Sequence, residues 1–234
     1  MSKLFPQATQ RTTAPFRFDI VGSFLRPENL KQARQQCSCG DISCEDLTQV
    51  EEQEIEKLVA QQKAVGLQAV TDGEFRRTFW HLDFLAALDG VEEVEAEKFS
   101  VQFKHHNVRP KTLKIVDKIG FSENHPFIDH YRSLQKIAGN TAVKFTIPSP
   151  SMLHLITNVR ATDYQPIPRY ENNNNALLLD DIAEAYIKAM QAFYALGCRN
   201  LQLDDTSWGE FCAEDKRTAY QARGFDLDQI AKDY

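Results

Sequence analysis

Apolar residues recur along the chain with two different spacings, and each spacing predicts one kind of secondary structure. Over 42–65 and again over 178–196 they return every three or four positions, the spacing of a helix with one buried face. A glycine follows each stretch, Gly66 and Gly197, at the position where helices commonly end. After each glycine the pattern changes to the alternation of a short strand. The chain therefore repeats a unit of helix, glycine and strand.

Four short strands are predicted, at about 18–22, 67–71, 142–147 and 200–204. Helical patterns lie between successive strands, and parallel strands need such long crossovers. We therefore predict an α/β fold, a TIM (β/α)8 barrel of which this chain supplies only about the first four β/α units. In this interpretation residues 1–15 are a flexible N-terminal arm, and residues 16–234 form the N-terminal half of the barrel.

A long excursion separates the second strand from the third, over about 75–140. Apolar residues alternate with polar ones at 99–103 and less cleanly at 113–115, which predicts a β-hairpin over about 99–116. A helix is predicted at 129–138. Long insertions after a barrel strand are commonly functional lids, so we interpret the excursion in that way.

Composition and charge narrow the classes of protein. The chain is 42% hydrophobic and 26% charged, which is typical of a globular protein, and its formal net charge is -6. The negative charge argues against a nucleic-acid partner, which needs a basic surface. No apolar run approaches the roughly 18 residues of a membrane span, and the N-terminal residues lack the apolar core of a secretory signal. We expect a cytoplasmic protein with no membrane partner.

Three of the five cysteines cluster, at Cys37, Cys39 and Cys44. A structural zinc site needs four ligands in a tetrahedral array, and no second Cys or His pair stands nearby at a finger-like spacing. We interpret the three as free surface thiols. Cys198 and Cys212 flank the fourth strand and are interpreted as packing residues.

Distinctive residues stand at the ends of the four predicted strands. They are Gly-Ser at 22–23, Asp-Gly-Glu at 72–74, Pro-Ser-Pro at 148–150 and Asp-Asp at 204–205. The carboxyl ends of parallel strands meet at one mouth of a barrel, so these groups are expected to face one another. Carboxylates from two strands, together with backbone N–H groups, suit a zwitterionic amino acid. The same carboxylates could bind a divalent cation, and the residues themselves leave both alternatives open.

The chain resembles the cobalamin-independent methionine synthase family through three motifs that stand in order. They are V-G-S-F-L-R-P at 21–27, V-T-D-G-E-F-R-R at 70–77 and L-Q-L-D-D at 201–205. The resemblance is to the C-terminal catalytic barrel of that family, and most of all to its short single-barrel relatives. It implies a methyltransferase that moves a methyl group from 5-methyltetrahydrofolate, with its polyglutamate tail, to the thiol of homocysteine. In the family a zinc ion activates that thiol as a thiolate.

The resemblance also implies which residues bind homocysteine. Val21, Gly22 and Ser23 match the backbone segment that holds the carboxylate of homocysteine. Glu74 matches the acid that binds its amino group, and Asp204 matches the second acid at that site.

Methylated folate is the second small-molecule substrate that the resemblance implies. Its expected contacts are Arg109 and Glu210. The family also has a tryptophan after the third strand, and no residue here matches it, because residues 154–156 occupy that region.

The resemblance implies zinc ligands beyond Tyr234. In the family these ligands are a His-x-Cys pair, a glutamate and a further cysteine on later strands, and no His or Cys of this chain matches that pattern. The chain is then expected to hold no metal ligand and no catalytic residue of its own, and to be an inactive fragment when alone. A half barrel has unpaired strand edges, so we expect pairing with a C-terminal half or in a homodimer.

Two further interpretations stay open. A related barrel could act on another thiol or carry out a decarboxylation. The chain could instead be a non-catalytic binding or assembly protein, because unpaired strand edges invite association.

Overall fold

The computed structural model describes residues 11–95, 111–171 and 175–234, which form a mixed α/β fold. The described helices are α1 (Glu28–Cys39), α2 (Cys44–Ala64), α3 (Leu82–Leu85), α4 (Pro126–Ala138), α5 (Pro150–His154), α6 (Ala176–Ala195), α7 (Ser207–Cys212), α8 (Glu214–Ala222) and α9 (Leu227–Asp233), with a π-helical segment at Leu155–Arg160. The described strands are β1 (Ala69–Val70), β2 (Asp89–Glu95), β3 (Lys111–Gly120), β4 (Ala142–Val143), β5 (Phe145–Pro148) and β6 (Leu201–Asp204). None of these helices is both long enough and apolar enough to cross a membrane.

The chain divides into two compact units. The first unit comprises the described parts of 1–76, 131–146 and 197–202. The second unit comprises the described parts of 77–130, 147–196 and 203–234.

Segments of the first unit pair in parallel, in the order in which they follow along the chain. A parallel bridge joins Ser23 to Gly73, and β1 pairs in parallel with β4. The Phe145 N–H then donates to the Asn200 carbonyl at 3.0 Å. Each segment is therefore hydrogen-bonded to the next one along the chain, as parallel strands joined by helical crossovers are.

Strands β5 and β6 continue into the second unit. There the Ser149 N–H donates to the Asp204 carbonyl at 2.8 Å. These two residues lie four positions beyond Phe145 and Asn200, so β5 and β6 run parallel. The strands predicted at 67–71, 142–147 and 200–204 are thus confirmed.

The strand predicted at 18–22 is wrong. These residues form no regular strand, and the first segment contributes only the bridge at Ser23. The apolar residues that suggested a strand are not buried, since Phe18 is 80% exposed and Val21 is 70% exposed. Apolar side chains favour a strand only where a second layer covers them.

Helix α2 has the termini that its sequence predicts. At its start, the Ser43 side chain accepts from the Asp46 N–H while the Asp46 carboxylate accepts from the Ser43 N–H, which is a capping box. Beyond its end, Gly66 takes a left-handed φ of 87°. Its apolar face is buried through Ile55, Leu58 and Val59.

The excursion in the second unit contains a hairpin whose strands differ from the prediction. The hairpin pairs β2 with β3 in antiparallel register, with Glu95 opposite Lys111. The acidic run at 92–95 therefore lies in a strand, because that strand buries Val91 while its glutamates face outward. The strand predicted at 99–103 lies outside the described residues. The helix predicted at 129–138 is confirmed as α4.

Two helical segments that come directly after β5 and β6 were not predicted. Residues 150–160 form α5 and the π-helical segment. Pro150 occupies the first turn of α5, where a missing N–H costs no hydrogen bond. Residues 207–212 form α7.

His125 lies within an aromatic cluster of the second unit. Its ring centroid is 4.5 Å from that of Phe84, 5.0 Å from that of Phe121 and 5.4 Å from that of Phe127. Its Nδ1 accepts from the Phe127 N–H at 3.2 Å, so its Nε2 carries the proton and donates to the Phe84 carbonyl at 3.0 Å. The folded protein therefore holds a neutral ring. Burial lowers the pKa of His125 from the usual 6.5 to about 4.

We expect the protein to lose stability in mild acid in part through His125. Between its unfolded pKa of 6.5 and its folded pKa of about 4, the unfolded chain binds a proton that the folded chain does not. The stability is complete above pH 6.5, and each such histidine removes about 1.4 kcal/mol per pH unit as the pH falls through this window. Urea unfolding across this window should give a shallower pH dependence for His125→Phe than for the wild type.

The difference between the two slopes is the informative quantity, because the other titrating groups act equally in both proteins. His125→Phe should also be less stable at neutral pH, since two backbone groups lose their partner. Equal slopes would contradict the neutral, buried state of His125.

Candidate functional site

Thr71, directly after β1, connects three segments of the first unit. Its backbone N–H and carbonyl both bond the side-chain amide of Gln62 in α2, at 3.0 and 2.8 Å. Its hydroxyl donates to the Gly22 carbonyl at 2.8 Å and accepts from the Gly73 N–H at 3.2 Å. Because all four bonds are buried, Thr71 fixes the segment at 21–23 and the turn after β1 to the end of α2.

A tight turn at Asp72–Phe75 follows. The Phe75 N–H donates to the Asp72 carbonyl at 3.3 Å, and both central residues have positive φ, 66° at Gly73 and 57° at Glu74. These are the features of a type I′ turn. The Asp72 carboxylate accepts from the Glu74 N–H at 2.9 Å and supports it. A left-handed glutamate is uncommon and costs backbone energy, and such strain tends to occur at functional sites.

The turn directs the Glu74 carboxylate into the interior of the first unit. Glu74 is 3% exposed, and its Oε1 accepts from the Thr146 hydroxyl at 3.0 Å. A Cβ added to Gly22 would lie 2.7 Å from the Thr146 methyl group and 3.4 Å from Glu74 Oε1. The absence of a side chain at Gly22 therefore allows the first segment to lie directly against this carboxylate.

Arg26 joins the same two segments from another side. Its guanidinium donates to the Ser23 hydroxyl at 3.0 Å and to the Glu74 carbonyl at 2.8 Å. Val21 and Ser23 are exposed while Gly22 is buried. The first unit thus brings Val21, Gly22, Ser23 and Glu74 close together. Their binding of homocysteine stays a prediction.

Asp204 and Asp205 belong to the second unit. The Asp204 carbonyl accepts from the Ser149 N–H, as β5 and β6 require. The Asp205 carboxylate accepts from the Ser151 hydroxyl and from the Ser207 N–H, each at 2.6 Å. Burial alone would raise the pKa of Asp205, but these hydrogen bonds outweigh it and lower that pKa. Asp205 is therefore an ionised anchor for α5 and α7.

Glu210 is engaged by protein groups within the second unit. Its Oε1 accepts from Arg160 Nε at 2.7 Å, with a second bond from the same guanidinium, and its Oε2 accepts from the Tyr220 hydroxyl. Burial opposes ionisation of Glu210, but the bonds from Arg160 and Tyr220 prevail and lower its pKa. The folate role of Glu210 stays a prediction, and Arg109 lies outside the described residues.

The described parts of the chain do not fit a zinc site. No group of three or more His, Cys, Asp or Glu side chains within 11–95, 111–171 and 175–234 is arranged to hold a metal ion. His154 is 3% exposed, and its Nδ1 lies 2.9 Å from the Tyr234 hydroxyl, so this imidazole is engaged within the protein. Burial lowers the pKa of His154 to about 4.

Three residues of the site were missed by sequence reasoning: Arg26, Thr71 and Thr146. Thr71 ends the strand predicted at 67–71, and Thr146 lies within the strand predicted at 142–147. A buried polar residue needs a hydrogen-bond partner, so the two threonines were a signal that could have been used. Arg26 lies inside the first motif but was not assigned a role. Its hydrogen bond to the distant Glu74 carbonyl is seen only in the folded structure.

Comparisons with known proteins identify the family of the chain. The family model for the cobalamin-independent synthase catalytic domain matches residues 16–227. The chain therefore belongs to the cobalamin-independent methionine synthase catalytic-domain family. Two Bacillus subtilis (strain 168) proteins are similar to it, YxjG with 42% identity over 224 residues and YxjH with 44% identity over 218 residues. These matches cover 96% and 93% of this chain but only 57% and 55% of the relatives.

Two solved structures are also similar to this chain. A Listeria monocytogenes protein, described as a candidate vitamin-B12 independent methionine synthase, matches with a TM-score of 0.73 and 41% identity, over 94% of this chain and 59% of that one. A B12-independent methionine synthase from Shewanella sp. W3-18-1, in complex with selenomethionine, matches with a TM-score of 0.50 and 16% identity, over 70% of this chain and 44% of that one. The second likeness is one of fold alone. The chain thus spans between half and three fifths of the relatives at about 40% identity.

We expect Gly73→Ala to destabilise the first unit more than Gly139→Ala does. Both glycines have a left-handed φ, 66° and 59°, so each substitution costs about 1 kcal/mol through the backbone. Only the Cβ at residue 73 would overlap its surroundings, at 2.4 Å from Leu58 and 3.0 Å from Phe75, whereas nothing lies within 4 Å at residue 139. Overpacking should add about 1–3 kcal/mol to the loss in free energy of unfolding. Equal losses, measured with urea, would contradict the tight seating of the turn.

Proposed function

We propose that this chain carries the homocysteine-recognising part of a methyltransferase that moves a methyl group from 5-methyltetrahydrofolate to the thiol of homocysteine and makes methionine. Family membership supports the reaction class. The substrates and the activity of the whole protein are part of the proposal, because the chain spans little more than half of its relatives.

One observation carries the proposal: the buried Glu74 carboxylate lies beside the backbone segment at 21–23. A carboxylate has about four acceptor sites, so Glu74 can bind an ammonium group while it keeps the hydrogen bond from Thr146. Charge-assisted hydrogen bonds of this kind are roughly twice as strong as neutral ones.

The other half of an amino acid is accommodated by the open side of the same site. Backbone N–H groups are good donors to a carboxylate, and Val21 and Ser23 are exposed residues beside the buried Glu74. The site therefore offers an acid for the ammonium of homocysteine and backbone amides for its carboxylate. On the basis of the resemblance at 201–205, we also propose Asp204 as an acid that binds homocysteine.

For the folate we propose Glu210 and Arg109, again from the resemblance. Glu210 already binds Arg160 and Tyr220, so a folate contact would have to add to this cluster or replace one of its bonds. Zinc activation of the thiol is part of the family-level proposal. The described residues supply no ligand set for it.

For the fold we propose a (β/α)8 barrel. The parallel pairing of consecutive segments, in chain order, is what the first units of such a barrel require.

The protein in its full natural length should form methionine when it is given 5-methyltetrahydrofolate, with its polyglutamate tail, and L-homocysteine. Methionine measured by mass spectrometry, together with loss of the methylated folate, is the test, and omission of homocysteine is the control. Methylation of a different thiol in a substrate panel would replace homocysteine as the acceptor. Failure to bind any thiol amino acid would favour the non-catalytic alternative.

Glu74→Gln should weaken homocysteine binding by about 10- to 100-fold, because a bond to a charged group contributes about 1.5–3 kcal/mol. Glutamine keeps the size of the side chain and removes only its charge. Glu123→Gln, at an exposed position, is the matched control and should leave binding unchanged. Isothermal titration calorimetry with L-homocysteine measures both. Unchanged affinity in Glu74→Gln would remove this residue from the site.

A further inference from the structure

Two cysteines of the first unit face each other across the connection between α1 and α2. The sulfur atoms of Cys37 and Cys44 are 4.0 Å apart. Cys37 lies in the last turn of α1 and is partly exposed, and Cys44 is the first residue of α2 and is exposed. An oxidant in solution can therefore reach at least one of the two thiols.

The backbone keeps these sulfurs together. The connection at 40–43 is only four residues long, and its first residue, Gly40, has a left-handed φ of 80°. The Gly40 N–H donates to the Cys37 carbonyl at 3.1 Å, and the Asp41 N–H donates to the Gln36 carbonyl at 2.9 Å. The capping box of α2 fixes the other end of the connection. The two capped helix ends thus hold the backbones of Cys37 and Cys44 in place on either side of the connection.

The third cysteine of the cluster does not share this geometry. Cys39 is exposed, and it lies two residues beyond Cys37 on the same helix. Successive residues of a helix are about 100° apart around its axis, so the side chains of Cys37 and Cys39 diverge. The contact between sulfurs joins Cys37 to Cys44.

We propose that Cys37 and Cys44 form a reversible, peroxide-sensitive disulfide that links α1 to α2. A disulfide needs the two sulfurs to come to about 2.05 Å, so from 4.0 Å they must approach each other by about a further 2 Å. Nothing in the catalytic-domain assignment of this chain calls for such a bond.

The reaction has two steps. The thiolate of Cys44, the more exposed residue, attacks one oxygen of hydrogen peroxide. An S–O bond forms, the O–O bond breaks, and hydroxide leaves as water after it takes up a proton, which gives a sulfenic acid. The thiolate of Cys37 then attacks that sulfur, so that the S–S bond forms, the S–O bond breaks, and a second water leaves. Two thiols are oxidised and one peroxide is reduced to two waters.

The electrostatics of the pair agree with this order of attack. Partial burial and the neighbouring Cys44 thiol raise the pKa of Cys37, with smaller contributions from Glu51 and Glu45. Cys37 is therefore less readily ionised than an ordinary cysteine, so we assign it the second step.

The disulfide would act on the helices that support the Glu74 turn. From α1, the Arg34 guanidinium bonds Glu51 of α2 at 3.1 Å and also bonds the Phe75 carbonyl, next to Glu74. A covalent link at the end of α1 would hold these two helices together during local opening, so the oxidised protein should have a higher melting temperature than the reduced one.

Treatment of the wild-type protein with a small molar excess of hydrogen peroxide tests the proposal. We expect intact-mass spectrometry to show the loss of two hydrogen atoms. Digestion without reductant should give one cross-linked peptide that joins Cys37 to Cys44, and dithiothreitol should reverse the change. Cys39→Ser is the matched control, because it removes a neighbouring exposed thiol and should leave the cross-link intact.

Cys44→Ser and Cys37→Ser should each abolish the cross-link and leave the remaining thiol to gain oxygen atoms instead. The proposal is overturned if peroxide adds oxygen to the wild type without forming this cross-link. It is equally overturned if the cross-link uses Cys39 or joins two molecules.

Discussion

The four hydrogen bonds of Thr71 are the constraint on which the candidate site depends. Strand β1 has two residues, so it makes too few backbone hydrogen bonds to hold the turn at Asp72–Phe75 by itself. The Gln62 side-chain amide bonds both the N–H and the carbonyl of Thr71, as a residue of a neighbouring strand would. The Thr71 hydroxyl donates to the Gly22 carbonyl and accepts from the Gly73 N–H. A helix end, a strand end and a separate segment are thereby held in fixed register without a large sheet.

The register matters because the turn that follows is strained. Two consecutive left-handed residues persist only where the surrounding contacts determine them. Asp72 and Arg26 provide such contacts through the backbone of Glu74, and the space left at Gly22 lets the carboxylate reach Thr146. These contacts thus keep the Glu74 carboxylate in one orientation, and such preorganisation would lower the entropy lost if the proposed ligand binds there.

The acids of the second unit illustrate how one residue type serves different purposes. Asp205 and Glu210 are both ionised and both bonded by neighbouring protein groups, so they stabilise α5, α7 and α8 whatever else they do. Asp205 comes directly after β6, and Glu74 comes in the turn after β1. Carboxylates that follow a strand therefore share a place in the sequence pattern, and the groups around each carboxylate decide its role.

The sequence by itself determined the helices α2, α4 and α6, the three later parallel strands, and the grouping of 21–23 with Glu74. Helical periodicity, glycine stops and a motif that extends over many residues are local properties of the chain, so they can be read without coordinates. Only the tertiary structure decided that the first segment is a single bridge, that Pro150 begins a helix, and that threonine and arginine side chains position the glutamate. Those outcomes depend on which groups meet across distances of 48 to 72 residues along the chain, and no local pattern encodes such a meeting.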